Sequence, residues 1–167
     1  MANLIDSTYF KGVLQLPNLT GTGVVTDAAI ENLNWYIATY EPKYLRLVLG
    51  ETLYNAMIAG LAANPIDARW TALKNKLIDS INKLSCITGY VFYHAERGRF
   101  TQSVQGGQAK AKGTNSEIVT NTQPMRTAYD ESIIAGAELR IWLSDNSDTY
   151  PEFTVTELSA LNFLCRL

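Results

Sequence analysis

The side chains that could act as nucleophiles or as ligands for a soft metal ion are few: two cysteines and one histidine. Cys86 and His94 are eight positions apart in a segment with a helical pattern, so about 12 Å of helix rise keeps them out of contact. Cys165 has no metal-binding or redox spacing to Cys86, and we interpret both cysteines as free thiols. A lone histidine near a helix end is ordinarily a satisfied or solvated imidazole, and we expect no metal site at His94.

Glycine-containing and acidic stretches also lack the patterns of known catalytic or ligand sites. Gly107 and Gly113 do not have the separation of a phosphate-binding loop, and no strand pattern precedes them. Residues 145–148 offer oxygen atoms but lack the glycine and the final glutamate of a calcium-binding loop. Glu131 and Glu138 lie on one helix face without a convergent partner, and no Gly-x-Ser-x-Gly sequence is present. The sequence therefore predicts a protein that is not an enzyme and uses no cofactor.

Aromatic residues crowd two places in the sequence. One group is Trp35, Tyr36, Tyr40 and Tyr44, and the other is Tyr90, Phe92 and Tyr93. Core packing accounts for most of them, but aromatic and arginine side chains are also enriched at protein interfaces. The second group continues into Arg97, Arg99 and Phe100, which makes it a candidate edge of a contact surface.

The longest regular pattern in the chain covers residues 68–97. Its apolar residues recur at intervals of three and four, which is typical of one stripe of an α-helix. They are Trp70, Leu73, Leu77, Ile81, Leu84, Val91 and Ala95, with Thr88 at a polar step. Asp67 suits an N-cap, and Arg97 suits the C-terminal end of the helix dipole. An unbroken helix of this length would be a rod of about 45 Å.

Shorter helical patterns precede this segment. Thr26 or Asp27 is predicted to cap a first helix, which Pro42 breaks or restarts because proline disfavours the helical conformation of the residue before it. A short helix over 43–49 and another over 51–61 follow. The first 25 residues lack a helical period and are predicted to be an extended arm with a short edge strand at 14–16. Because this arm is so apolar, it must lie either against its own domain or against a neighbouring subunit.

Residues 98–123 are basic, contain glycine and have no period, which predicts a long flexible loop. Pro124 suits the first turn of a second long helix that extends to about Ser144. The apolar face of that helix is predicted to contain Tyr129, Ile133, Ile134, Ala137, Ile141 and Leu143. The tail after it is consistent with either a helix or an extended segment.

These patterns predict an all-α fold, namely a helical bundle dominated by two long antiparallel helices joined by a long flexible loop. The whole chain is expected to form a single domain. Its predicted parts are an extended arm at 1–25, helices over 26–97, a loop at 98–123, a helix at 124–145 and a short extended or helical tail at 146–167.

The composition supports a single globular domain. The chain has 167 residues, of which 47% are hydrophobic and 18% charged, so it is large enough for its own core. No run of about 18 apolar residues is present, and no membrane partner is expected. The first residues lack the basic start and apolar core of a secretory signal, which favours the cytoplasm during synthesis.

The net charge of −2 is unevenly distributed along the chain. Residues 68–113 carry eight cations and two anions, whereas 1–67 carry three cations and six anions, and 114–167 carry three and eight. A basic middle between acidic flanks indicates a face toward nucleic acid, a face toward an acidic copy of the same chain, or only a solvated helix face.

One segment, 37–54, carries a pattern that extends beyond composition. A helix ending in Tyr40-Glu41-Pro42 is followed by Tyr44-Leu45, Leu49-Gly50 and Leu53-Tyr54. This segment resembles the opening of the head–tail connector proteins of tailed bacteriophages, also called adaptor or head-completion proteins. The outline continues over about 27–144, with a helix ending in aromatic residues, a glycine-bearing loop and a second long helix.

The resemblance implies a structural virion protein that forms a homo-oligomeric ring, commonly a dodecamer, beneath the portal at the head–tail interface. Such a ring continues the DNA channel toward the tail, and no catalytic residue is carried over. The implied partners are other copies of the chain, the portal protein, a neighbouring tail or connector protein and, non-specifically, the packaged DNA. The implied location is the virion, after assembly in the host cytoplasm.

Two sets of residues are predicted to make these contacts. The loop residues expected to face the portal or the DNA channel are Arg97, Arg99, Gln105, Gly106, Gly107, Lys110 and Lys112. Lys74, Lys76 and Lys83 are expected to contact an acidic neighbouring subunit.

The alternatives to a connector function are a helical module that binds DNA without sequence specificity, and a small helical enzyme with a lid loop at 98–123. The whole-chain pI of about 5.4 argues against the first, and the lack of convergent titratable groups argues against the second.

Overall fold

The structure is a computed structural model that describes residues 3–104, 107–110 and 122–154. Its helices and strands follow one another as α1 (Val24–Leu49), α2 (Glu51–Ala62), α3 (Ala68–Leu77), β1 (Ile78–Asp79), β2 (Leu84–Ser85), α4 (Cys86–Phe100), β3 (Thr101–Val104), β4 (Gly107–Lys110) and α5 (Thr122–Asp145). Each pair of strands forms a small antiparallel hairpin. The fold is mostly helical, which confirms the predicted all-α class in its general form.

The prediction of one helix over 68–97 is wrong. Helix α3 ends at Leu77, and the chain makes the β1–β2 hairpin, with Ile78 opposite Ser85, before α4 begins. The Asp79 carboxylate accepts hydrogen bonds from the backbone N–H groups of Ile81 and Asn82 at 2.9 and 2.8 Å, and these bonds compete with a helix.

Ser85 completes the interruption of the predicted helix. Its hydroxyl accepts the backbone N–H of Ile87 at 3.1 Å and so caps the restarted helix α4. Ile81 and Leu84 fit the apolar stripe of the predicted helix over 68–97. They lie on the surface because they belong to the β1–β2 hairpin and not to a helix. Ile81 is 91% exposed and Leu84 is 60% exposed.

The predicted break at Pro42 is also wrong, because α1 continues through it. The missing N–H of proline removes one helical hydrogen bond, but the residues around it are fixed by tertiary packing. Tyr44 and Val48 are fully buried, and Glu41 is only 4% exposed. The helix begins at Val24, ahead of the expected caps, after a glycine with a positive φ of 124° at position 23.

The N-terminal arm lies on its own domain. It makes two 3-10 turns, Ser7–Tyr9 and Gly12–Leu14, so the predicted edge strand at 14–16 is wrong. The arm buries Ile5, Tyr9, Phe10 and Leu16. The Glu41 carboxylate anchors the arm, since it accepts the backbone N–H groups of Leu4 and Ile5 at 2.8 and 3.2 Å.

The segment predicted as a loop at 98–123 has regular structure where it is described. Helix α4 continues to Phe100, and β3 pairs directly with β4, with Thr101 opposite Lys110 and Val104 opposite Gly107. Residues 111–121 lie outside the described residues, as do residues 155–167 of the predicted tail. Helix α5 begins at Thr122, two residues before Pro124, and agrees closely with the prediction.

Helices α1, α4 and α5 meet at a tightly packed junction. The Tyr44 hydroxyl, buried in this junction, donates a hydrogen bond of 2.6 Å to the Ser132 carbonyl oxygen of α5. Gly89 of α4 approaches α5 so closely that an added Cβ atom would lie 2.3 Å from the Ala128 carbonyl oxygen. Gly136 of α5 has the same role toward α1, since its Cβ would lie 2.9 Å from the side chain of Val48.

We predict that Gly89→Ala destabilises the protein by about 1–2 kcal/mol, because the steric cost of about 1–3 kcal/mol exceeds the gain of up to about 1 kcal/mol in helix propensity. The free energy of unfolding in urea measures the effect. Ser144→Ala, at an exposed position of α5, is the matched control and should change stability by less than about 0.5 kcal/mol. Equal stability of the Gly89→Ala variant and the wild type would contradict the close approach of α4 and α5.

Candidate docking surfaces

The first candidate surface is the basic end of α4 and the β3–β4 hairpin. Arg97 is exposed. Arg99 forms a salt bridge with Glu96, whose side chain is almost fully buried, so this arginine is partly used within its own helix. Gly107 and Lys110 lie on β4. The other predicted members of this surface, Gln105, Gly106 and Lys112, lie outside the described residues.

The three lysines predicted to contact a neighbouring subunit do not share one helix. Lys74 and Lys76 belong to α3, whereas Lys83 lies in the β1–β2 turn with a positive φ of 54°. The Lys76 ammonium is 5.3 Å from the ring centroid of Trp142, and that of Lys83 is 5.0 Å from the ring centroid of Tyr9. Their role between subunits stays a prediction, but the helix face on which it was based does not exist.

Lys76 and Lys83 instead line an open groove of about 790 Å³ between the β1–β2 hairpin, the Gly12–Leu14 turn and helices α4 and α5. Lys11 adds a third ammonium group and donates a 2.5 Å hydrogen bond to the Asn82 carbonyl oxygen, which joins the arm to the hairpin. Val13, 85% exposed, and Leu84 form part of the lining. The groove thus combines cations with aliphatic side chains that have no cover within the described part of the chain.

The groove has a small excess of positive charge, because three lysines and two carboxylates line it. Within the described residues, Lys11, Lys76 and Lys83 form no salt bridge. Asp79, one of two carboxylates in the lining, directs its oxygen atoms to the hairpin backbone and to the Asn82 amide. These hydrogen bonds, together with the positive charge of Lys11, lower the pKa of Asp79. The other carboxylate, Glu131, lies at the α5 side of the groove.

The second candidate surface is the outward side of α5. Ile134 and Ile141 were predicted to be buried, but they are 59% and 65% exposed. Ile133 and Leu143 are buried as predicted, and the rest of the buried side of α5 is formed by Met125, Ala128, Ser132, Gly136 and Leu139. Glu138 and Asp145 are also exposed and alternate with the two isoleucines at intervals of four, three and four. We call Ile134, Glu138, Ile141 and Asp145 the α5 stripe.

The two aromatic groups in the sequence come together around His94. The His94 ring stacks on Tyr40 with centroids 3.9 Å apart, and Tyr90 and Tyr93 lie at 4.8 and 5.2 Å. Burial, reinforced by the positive charges of Arg97 and Lys43, lowers the pKa of His94 to about 4. The imidazole is therefore neutral at pH 7 and is part of an aromatic stack.

The remaining reactive side chains have ordinary surroundings. Cys86 is a free thiol, as predicted, and burial raises its pKa, so the reactive thiolate form is disfavoured. Cys165 lies outside the described residues. Thr88, in the lining of the groove, is 1% exposed, and its hydroxyl has no hydrogen-bond partner among the described residues. Within the same part of the chain, no group of His, Cys, Asp and Glu side chains could hold a metal ion.

Comparison with known proteins gives no match. No family model, no curated protein and no solved structure matches this chain. Within residues 3–104, 107–110 and 122–154, no helix has both the length and the apolarity that crossing a bilayer requires.

The groove could not be predicted from the sequence, because its cationic side chains come from segments that are far apart along the chain. Lys11 and the hairpin residue Asn82 are 71 positions apart, and no periodicity links them. The stack around His94 had a visible signal, since Tyr36, Tyr40 and Tyr44 recur every four residues on one side of α1. That spacing indicated a row of aromatic side chains along α1. It did not indicate that α4, which carries His94, packs against that row.

We predict that the wild-type protein loses stability relative to a His94→Phe variant as the pH falls from 7 to about 4.5. The unfolded histidine, with a pKa near 6.5, binds a proton before the folded one does, so acid favours the unfolded state. The half-buried position limits the difference to about 1–2 kcal/mol. Urea denaturation of both proteins at several pH values measures it, and a difference that is constant with pH would contradict the lowered pKa.

Proposed function

We propose that this protein is a subunit of the head–tail connector of a tailed bacteriophage, a structural virion protein that forms a ring beneath the portal. The observation that carries the proposal is the segment 37–54, with its Tyr-Glu-Pro, Leu-Gly and Leu-Tyr steps. The proposed role is mechanical: the ring continues the DNA channel and presents a surface to the next component. No catalytic step is part of it.

The residues that carry the resemblance hold the fold together, which supports a structural relationship over a chance match. Glu41 anchors the N-terminal arm, and Tyr44 bonds to α5. Gly50, with a positive φ of 77°, allows the sharp passage from α1 to α2, and Leu53 is fully buried beyond it. The pattern therefore specifies how the arm, α1, α2 and α5 pack on each other.

The surfaces of the molecule also suit a subunit that contacts others on more than one side. The basic α4–hairpin end, the cationic groove and the α5 stripe are formed by different sets of residues, and the groove and the stripe expose large aliphatic side chains. Ring subunits need distinct contacts to two neighbours and to the components above and below. We assign the basic hairpin segment to portal docking, in preference to DNA, because a chain of net charge −2 is poorly suited to binding phosphates.

Deletion of residues 102–116 tests the docking role. We expect the shortened protein to fold, because six residues still connect α4 to α5, and to be lost from virions, because the portal-facing segment is missing. Circular dichroism measures the fold, and immunoblotting of purified particles measures incorporation.

A variant with Lys110→Gln and Lys112→Gln is the matched control that retains the length of the segment and removes its charge. Negative-stain images of the wild-type protein should show rings with a central opening. Normal incorporation of the deletion variant would refute the docking role. A monomer that is retained on DNA in moderate salt would favour the DNA-binding alternative.

A further inference from the structure

The cationic groove and the α5 stripe have complementary properties. The groove presents Lys11, Lys76 and Lys83 next to the exposed aliphatic residues Val13 and Leu84. The stripe presents two carboxylates that alternate with two exposed isoleucines. Both surfaces thus combine exposed aliphatic side chains with charge. The groove has three lysines and two carboxylates in its lining, an excess of positive charge, whereas the charged residues of the stripe are both carboxylates.

A stripe cannot occupy the groove of its own subunit. Helix α5 itself lines the groove through Ala128, Ser132 and Ala135. Ile134 and Ala135 are neighbours in sequence, so their side chains point about 100° apart around the helix. The stripe therefore borders the groove without lining it. Glu131, which does line the groove, shares a helix face with Glu138, but none of the four stripe residues is part of the lining. Any occupant with the composition of this stripe has to come from another molecule.

From this arrangement we infer that the α5 stripe of one copy docks in the cationic groove of a second copy. Ile134 and Ile141 contact the aliphatic side chains Val13 and Leu84 of the groove. Glu138 and Asp145 pair with the ammonium groups of Lys76 and Lys83, which form no salt bridge within the described residues. The two surfaces are different patches of the same chain, so the contact is head-to-tail, a geometry that gives a ring when the rotation between copies closes. The inference rests on the proposed function and deepens it by naming the contact between neighbouring subunits.

Charge reversal on the two sides tests this contact. The groove variant carries Lys76→Glu with Lys83→Glu, and the stripe variant carries Glu138→Lys with Asp145→Lys. We expect the wild type to self-associate and each variant alone to associate at least about tenfold more weakly, because like charges then face each other. An equimolar mixture of the two variants should assemble again, since each reversed surface then meets a surface of opposite charge. Sedimentation velocity of the full-length proteins at two salt concentrations measures the association.

Two further variants separate the contact from general effects. Lys43→Glu with Arg46→Glu, on the exposed side of α1, makes the same change in net charge as the groove variant and should associate as the wild type does. Ile134→Ser with Ile141→Ser removes only exposed aliphatic side chains, so it should retain the fold and lose association. Circular dichroism confirms the fold of each variant.

Three results would overturn the inference: a wild type that stays monomeric at the highest attainable concentration, a reversed variant that assembles as the wild type does, or a mixture that fails to assemble. The proposed function fails separately. If the contact is verified but the protein is absent from virions, the function is wrong and the contact stands. If the protein is present in virions and both reversed variants still form rings, the contact is wrong and the function stands.

Discussion

The packing of α5 against α1 and α4 is the constraint on which the rest of the structure depends. The buried Tyr44 hydroxyl satisfies the Ser132 carbonyl oxygen, and glycines at positions 89 and 136 let the backbones approach where a Cβ atom would collide. Because this contact fixes the rotation of α5, it decides which of its residues are hidden. Small residues at the closest approach and larger ones such as Leu139 and Leu143 face inward, and Ile134 and Ile141 are left outside. The position of the α5 stripe thus follows from which side of α5 packs against α1 and α4.

Regular periodicity predicted much of the fold, but it could not separate a helix from a helix interrupted by a hairpin. Helices α2 and α5 and the stop at Gly50 agree with the sequence patterns, because each has a strong local signal. The prediction of one helix over 68–97 was wrong because Ile81 and Leu84 fit the helical period although they lie on the surface. The decisive interactions there are hydrogen bonds made by Asp79 and Ser85, and a hydrophobic pattern carries no information about them.

The candidate surfaces were predictable only in part. The lysines were visible in the sequence as a basic region, but their grouping in a groove depends on the arm lying beside the β1–β2 hairpin, which no local pattern encodes. The course of the arm in turn depends on Glu41. Burial raises the pKa of this carboxyl, and the two backbone N–H groups that it accepts offset only part of that desolvation. Local rules at Pro42 favoured a break at the same place, and the tertiary anchor overrides them.

The exposed aliphatic side chains are the feature that the monomer fold does not explain. Val13, Ile81, Leu84, Ile134 and Ile141 contribute little to the core, since each is more than half exposed. Scattered apolar residues are normal on protein surfaces and need no special cause. Val24, Val25 and Ile81 are exposed in this ordinary way. Two of the other exposed aliphatic residues lie in the lining of a lysine-bearing groove, and two alternate with carboxylates along one helix. The contact proposed between the groove and the stripe would cover these four side chains. Because it is head-to-tail, it would give a ring if the rotation between copies closes and an open filament if it does not.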